Sequence, residues 1–414
     1  MTVIHIVDYF ASVGGMKTHL YHLMDGLKKS GINSIVVAPQ KSRETGWDDK
    51  ESNILWVNIL PSKSYSTQNS IFETIVEEIY PYLQNNTIDL IHGHTATGYT
   101  MGALLAYSLR CPIILTLHGG WVYFPTTPCT SCLALNYEKP CIKCEYFPDE
   151  NPTMLSNNLN FLQRGMYLAA AHRILVLNDN TYSHCKSIFN VPSYKLGKVK
   201  HWVDIPDKDE IKPRRIQARQ HWSTHTDSKV ILWVGTTRPH KRFDIVYKAF
   251  TALALENDDI ELWVAGINVE EFSNYCLNTP PSILNRVRCL GLLEREEMCL
   301  AYSGADIFWQ PSTWESVSYV LLEAMAYCLP CIAVAGLDNS DFLMDSENIC
   351  LVPPNDYSSF VKVTNDMLLS PDRTTALRNN ARSYVVNNHD RNDCMEEIIK
   401  QYKIVINQFN KAKD

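Results

Sequence analysis

Glu315 and Glu323 stand eight positions apart in WESVSYVLLEAMA, Trp314 to Ala326, a run that is otherwise mostly apolar. Ser316 and Ser318 are helix-start residues, and Val320, Leu321, Ala324 and Met325 are spaced for one buried helical face. A helix beginning near Ser318 leaves Glu315 in the loop before it and places Glu323 more than a turn inside. The N–H groups of Ser318, Tyr319 and Val320 are then unpaired within the helix and can receive a phosphate oxygen. Carboxylates accept hydrogen bonds from sugar hydroxyls, and two adjacent hydroxyls on one carboxylate suit a ribose. A sugar, a diphosphate and a ribose in sequence, as a nucleotide sugar presents them, match Glu315, the helix start and Glu323.

Other residues carry the same chemistry. Gly235 ends the strand VILWVG, and TTRPHKR follows, so Arg238, Lys241 and Arg242 put positive charge at the next helix start. The helix macrodipole mildly disfavours cations there, and a diphosphate would compensate. His118 ends the strand PIILTLH and precedes Gly119 and Gly120. It reads as a cleft-facing histidine or as a hydrogen-bonded loop residue; His92 and His94 in IHGHT are similar but less specific. Gly14 and Gly15 follow the first strand and open a helix, which suits close approach to a ligand and equally a plain tight turn. Asp207 and Asp209 form a D-x-D, but in a segment read as a solvated linker.

Four of the 13 cysteines are clustered, in CTSCLALNYEKPCIKC. Cys129, Cys132, Cys141 and Cys144 make two C-x2-C pairs, which suit a tetrahedral thiolate zinc site. Reduced thiols, disulfides and an iron–sulfur cluster are the alternatives. With all four ligands from the protein, zinc here would be structural, and no catalytic metal is expected. The loop, residues 119–150, begins just after His118, on the side where an acceptor is expected. The remaining cysteines lie in apolar segments and read as reduced core residues.

These residues need elements to hold them. Strands and helices alternate from VIHIVDYF through SIVVAP, IDLIHGH, PIILTLHG and RILVLND, which predicts a parallel sheet covered on both faces. The rhythm pauses at DIPDKDEIKPRR and resumes with VILWVG, IELWVAG, RVRCLG, ADIFWQPS and PCIAVAG. KPRR, the densest basic run, reads as solvated. The expected organisation is an α/β chain of two Rossmann-like doubly wound domains facing a cleft. The first covers 1–205 and the second 206–390, with a helix over 391–414 that could cross back to the first. Ligands of such sheets bind outside the carboxyl ends of the strands.

Composition narrows the class. With 414 residues, 45% hydrophobic and 20% charged, the chain has material for two packed cores. A net charge of −7 argues against a dedicated nucleic-acid binder. No apolar run reaches the length of a membrane span, and MTVIHIVDYF lacks the basic start of a signal peptide. A cytoplasmic protein is expected, with peripheral membrane contact open.

The motifs together resemble a known family. E-x7-E before AMA, with VGGMKTH, LTLHGG, VGTTRPHK, RVRCLGLLEREEM, ADIFWQPSTWES, VLLEAMAYCLPCI and Asp341 after VAGLDNS, is similar to the retaining GT-B glycosyltransferases of glycosyltransferase family 4. The resemblance covers most of the chain. It implies transfer of a sugar from a nucleotide sugar, UDP- or GDP-linked, to a glycan, lipid-linked or small-molecule acceptor, with configuration retained and no catalytic metal. By position it implies Lys241 on the diphosphate, Glu315 on the donor sugar, Glu323 on the ribose and His118 near the reacting carbon. Gly15 would let donor and acceptor close up. The pattern departs at Thr236, where the family carries Arg and Arg238, two residues on, is the candidate substitute, at Ser318 and Cys328, where it carries Gly, and at His201-Trp202, where NG is common. The rival readings are a GT-B phosphorylase or epimerase, and a non-catalytic partner-binding protein with a degenerate donor site.

Overall fold

Short strands of β-branched and aromatic residues, buried on both faces, form the centre of the chain's two units. The computed structural model describes residues 1–7, 15–39, 44–51, 53–58, 78–118, 164–276, 279–313, 315–335 and 343–412. The cysteine cluster, Gly14, Trp314 and Asp341 lie outside the described residues. Described residues up to His201, with Asn392 onward, make one unit, and Trp202 to Arg391 the other. The division falls a few residues before the expected 205/206.

In the first unit the strands are β1 (Thr2–Ile6), β2 (Asn33–Pro39), β3 (Gly46–Trp47), β4 (Ile54–Val57), β5 (Leu90–Gly93), β6 (Ile113–Leu117), β7 (Arg173–Val176) and β8 (Leu196–Lys198). They lie in the order β3-β4-β2-β1-β5-β6-β7-β8, parallel except for the β3–β4 pair. Helices α1 (Gly15–Lys29), α2 (Ala96–Leu109) and α3 (Asp179–Ser187) connect them. Chain order reverses between β1 and β5, so the loops after these two strands flank a topological switch point. Glycine is required there. A Cβ on Gly98 of α2 would lie 2.3 Å from the carbonyl oxygen of Ile6 at the end of β1.

In the second unit β9 (Lys229–Val234), β10 (Ile260–Ala265), β11 (Val287–Gly291), β12 (Ile307–Gln310), β13 (Cys331–Val334) and β14 (Cys350–Val352) lie in the order β11-β10-β9-β12-β13-β14, all parallel. The switch point is between β9 and β12. The helices used below are α4 (Lys208–His221), α5 (Phe243–Glu256), α6 (Arg295–Gly304), α7 (Tyr319–Ala326), α8 (Tyr357–Leu369) and α9 (Pro371–Asn388). Phe243, Val246, Tyr247, Phe250, Leu253 and Ala254 make one buried stripe along α5. Trp263 and Trp309 are fully buried, and each indole N–H donates to a threonine hydroxyl, of Thr224 at 3.2 Å and Thr364 at 3.1 Å. Burial of one such ring contributes about 2–3 kcal/mol, and the paired N–H avoids the cost of a lost hydrogen bond.

The last helix, α10 (Arg391–Lys411), buries Cys394, Met395, Ile398, Tyr402 and Val405 on one face and, from Asn392, belongs to the first unit. Met395 fills the space beside Gly26 of α1, where a Cβ would meet its sulfur at 2.8 Å.

Two sequence expectations need correction. The segment read as a linker is the start of α4, with Asp207 as its N-cap residue and Asp209 in its first turn. Acidic residues suit a helix N-terminus, so the D-x-D has a helix-end explanation. KPRR is not simply solvated. The Arg215 guanidinium donates to Asp306 Oδ1 at 2.7 Å and to the carbonyls of Gly304 and Ala305, while the buried Arg219 reaches Asp306 Oδ2 at 2.7 Å. Asp306 also accepts from the N–H of Val230, which ties α4 to β9 and β12.

Candidate active site

In the second unit, three segments meet at the β9–β12 switch point. The first is the loop after β9. Gly266 (φ +96°) approaches it so closely that a Cβ there would lie 2.1 Å from the Gly235 oxygen. A short 3-10 turn, Pro239–Lys241, then presents Lys241. The second is the loop after β12, tied to this turn by the Thr313 N–H donating to the His240 carbonyl at 2.8 Å. The third is the start of α7.

Lys241 donates to Glu315 Oε1, and both side chains are largely buried. Burial alone would push the Glu315 carboxyl up, but the Lys241 charge and hydrogen bond, with His240, hold it below the usual carboxylate range. The pair is therefore ionic: a carboxylate and an ammonium kept in a dry loop at a switch point. Of the neighbouring cations, Arg242 is spent on Asp244, with two bonds of 2.8 Å. Arg238 is exposed and has no ion pair among the described residues, as is Thr236 exposed.

Helix α7 begins at Tyr319 with Ser318 as N-cap. The Ser318 hydroxyl accepts from the Leu321 N–H at 3.4 Å and from Gln310 Nε2 at 2.6 Å. The serine that stands where the family has glycine therefore caps the N-terminus of α7. Gln310 Oε1 and His240 Nδ1, both buried, have no hydrogen-bond partner among the described residues. Two unpaired polar atoms beside a buried ion pair are what a polar ligand would satisfy. Sequence reasoning missed both, because nothing in one sequence marks a strand glutamine as turned toward a loop.

Glu323 is half-buried in α7, and Tyr302 of α6 donates to its Oε2 at 2.7 Å. Burial raises this carboxyl to about 7; the Tyr302 bond opposes the shift, Asp204 adds to it and Arg295 offsets it. Tyr302, itself held far above its ordinary value by burial and by Glu323, stays the donor. At the far end of α7, Cys328 adopts φ +61°, the left-handed position that glycine takes without strain.

The first unit holds a cluster that the sequence reading only touched. His118 follows β6, and its Nε2 lies 3.0 Å from His94 Nδ1, while His94 Nε2 lies 3.0 Å from His5 Nδ1. His19 of α1 brings its ring centroid within 4.6 Å of His118, and the His201 ring stacks on His118 at 5.2 Å. His92 is held at both nitrogens, by the Tyr402 hydroxyl and by Thr116 Oγ1, each at 2.6 Å. Burial lowers His5 and His118 to about 3 and holds His19, His92 and His94 well below their ordinary value, so all five imidazoles are neutral. His5 joins the cluster because it lies opposite His92 in the β1–β5 register, a pairing the sequence alone does not show. His19 and His201 gave no comparable signal. Gly15 is the first residue of α1.

Two family models match the chain: Glycosyltransferase Family 4 over residues 13–205 and Glycosyl transferases group 1 over residues 215–384. An uncharacterized glycosyltransferase of Methanocaldococcus jannaschii is 22% identical over 412 residues, covering 96% of each chain. Sucrose-phosphate synthase from Thermosynechococcus elongatus has the same fold, with a TM-score of 0.75, 17% identity and coverage of 98% of this chain and 99% of that one. Anabaena HepE, solved with UDP and glucose, gives a TM-score of 0.71 at 14% identity, over 97% of this chain and 99% of that one. These neighbours are GT-B glycosyltransferase structures, so the two parallel-sheet units form the GT-B fold expected from the sequence.

Proposed function

The chain belongs to the group 1 glycosyl transferases of glycosyltransferase family 4 and is a glycosyltransferase; from that premise we propose that it is a retaining enzyme using a nucleotide sugar, with no catalytic metal. The observation that carries the reading is the buried Lys241–Glu315 pair just before the N-terminus of α7, with the unpaired Gln310 Oε1 and His240 Nδ1 on the flanking segments. A donor diphosphate takes the Lys241 ammonium and lies against the N-terminus of α7. Glu315, released from Lys241, receives hydroxyls of the donor sugar. Glu323 receives the ribose, and His118 takes the family's place near the reacting carbon. The bond from that carbon to the donor phosphate breaks as the acceptor oxygen bonds to it on the same face. The leaving phosphate oxygen takes the acceptor's proton. HepE was solved with UDP and glucose, which makes a UDP-linked sugar the first donor to try. A glycan or lipid-linked acceptor is proposed, and no helix among the described residues is long and apolar enough to cross a membrane.

A thermal-shift screen of nucleotides and nucleotide sugars tests the donor, because a ligand of the native state raises the melting temperature by mass action. The Glu323 carboxyl, raised to about 7, is neutral at pH 6 and ionised at pH 8. Affinity for the donor is therefore expected to rise about tenfold over that range. Glu323→Gln should lose that dependence and weaken binding about 10- to 100-fold, the worth of a hydrogen bond to a charged group. Binding that matches the parent across this range would remove Glu323 from the ribose.

His118 is neutral at any working pH and serves as a hydrogen-bonding group, not as a titrating acid. Replacing it by Ala is expected to lower kcat about 100- to 1,000-fold, the usual loss when one preorganised hydrogen-bonding group is removed. A limb near pH 6.5 in the parent's kcat profile that vanishes in His118→Asn would contradict this.

We also propose that Cys129, Cys132, Cys141 and Cys144 hold one structural zinc, on the strength of their two C-x2-C pairs. Elemental analysis should find it, and Cys141→Ser with Cys144→Ser should remove it while most thermal stability stays. Acceptor use is expected to collapse, with donor affinity kept. An unchanged acceptor KM and kcat in the zinc-free variant would separate the loop from the acceptor.

A further inference from the structure

Three imidazoles converge in the first unit from three separate elements: His19 from α1, His94 from the end of β5 and His118 from the end of β6. One nitrogen of each lies within 4.8 Å of the others. We propose that these three histidines form a transition-metal site, selective for zinc-like ions, whose occupation takes His118 out of catalysis. The nitrogens of His94 and His118 are already 3.0 Å apart, against about 3.3 Å between imidazole ligands on a tetrahedral ion with bonds of about 2.05 Å. Small rotations of three side chains therefore admit an ion.

The surroundings fit a ligand set. Burial keeps all three imidazoles neutral, which is the form that binds metal, so no net proton is released; the proton between His94 Nδ1 and His118 Nε2 moves to His118 Nδ1 as the two nitrogens turn to the ion. His94 binding through Nδ1 carries its proton on Nε2, where His5 Nδ1 accepts it at 3.0 Å. A metal-bound histidine ordinarily has such a partner, which fixes its tautomer and ring. The other triplet, His5, His92 and His94, is a poorer candidate, because both His92 nitrogens are already bonded at 2.6 Å. Imidazole ligands suit zinc, copper, nickel and cobalt; magnesium and calcium prefer oxygen. Since one His118 nitrogen coordinates the ion, that lone pair is lost to the donor sugar. The inhibition thus rests on the proposed role of His118, whereas the ligation does not.

Cobalt(II) titration of the chelator-stripped full chain, followed by absorbance, tests the ligation without donor or acceptor. One cobalt per chain is expected with ligand-field bands but no thiolate charge-transfer band, distinct from any uptake by the cysteine cluster. His19→Gln should weaken this class about tenfold or more, and His5→Phe about 10- to 100-fold through the lost partner of His94. Circular dichroism checks that each variant stays folded, and His94→Gln supplies a third variant should one fail. Uptake accompanied only by the thiolate band, or equal affinity in folded His19→Gln and His94→Gln, overturns the site. In the transfer assay, zinc should inhibit the parent and spare His19→Gln. Zinc that fills the site and leaves transfer unchanged overturns the inhibitory half and, with it, the contact of His118 with the sugar.

Discussion

In metal-free protein the first unit is expected to lose stability steeply between pH 6.5 and 5, and more steeply than the second, where the lowered His240 acts the same way and the raised Glu323 the opposite way. The cause is the neutral histidine cluster. His5 and His118 have folded values of about 3 against an ordinary 6.5. A folded value below the unfolded one means that the unfolded chain binds the proton first. The full stability is therefore present above 6.5 and is lost as pH falls from there towards 3. At pH 5 each of these two groups costs about 2 kcal/mol, since one unit of difference is about 1.4 kcal/mol. His19, His92 and His94 are shifted the same way and add to the loss. A domain with a typical 5–15 kcal/mol is then near its limit. Hydrogen exchange of β1, β5 and β6, compared with β9 and β10, reads the two units separately. Unchanged protection of β1 and β5 from pH 7 to pH 5 would mean that the histidines are solvated and that the cluster is not as described. His5→Phe should make the decline shallower, because it removes one site of protonation.

Lys241→Met is expected to weaken nucleotide-sugar binding about 100-fold, because a charge-assisted bond to phosphate is worth about 1.5–3 kcal/mol and its long-range attraction is lost as well. The same change leaves Glu315 buried without its cation. Glu315 is 9% exposed, so removing one partner should cost about 3 kcal/mol of stability, and the carboxyl should move up into the range where it is protonated. The stability loss could be mistaken for the cause of weak binding, so the double variant Lys241→Met with Glu315→Gln decides. Removing both partners of an ion pair is far less costly than removing one. The double variant should recover most of the denaturation midpoint and still fail to bind the donor. Recovery of donor binding together with stability would show that the pair is scaffolding and that the diphosphate goes elsewhere.

The motifs and the elements were legible for a common reason. Strands buried on both faces must be continuous apolar runs, so IELWVAG and VILWVG announce themselves, and their loops carry the glycines and charges. The start of α7 was readable to within one residue, because N-cap chemistry is local: Ser318 accepts from an N–H three residues on. The strands β3, β4, β8 and β14 were not read, being only two to four residues long. The segment around Asp207 failed for a different reason. Charged and proline-containing, it looks like a linker, yet Arg215 and Arg219 spend their charge on Asp306, about 90 residues away in the chain.

The amino-acid sequence by itself determined that two parallel α/β units would form, that Glu315, Glu323, Lys241 and His118 would follow strands or open helices, and which family those motifs belong to. Each of those properties depends on residues within a few positions of one another. Strand order does not. That β12 lies beside β9, so that Lys241 and Glu315 pair across a switch point, is decided by which crossovers cover which face of the sheet. The same holds for β5 beside β1, which sets His5 against His92 and brings His19, His94 and His118 together. Burial then settles protonation: the Glu323 carboxyl near 7, the Glu315 carboxyl low because Lys241 is there, and five imidazoles neutral. A charge state depends on every atom that excludes water from the group, and only the tertiary structure brings those atoms together.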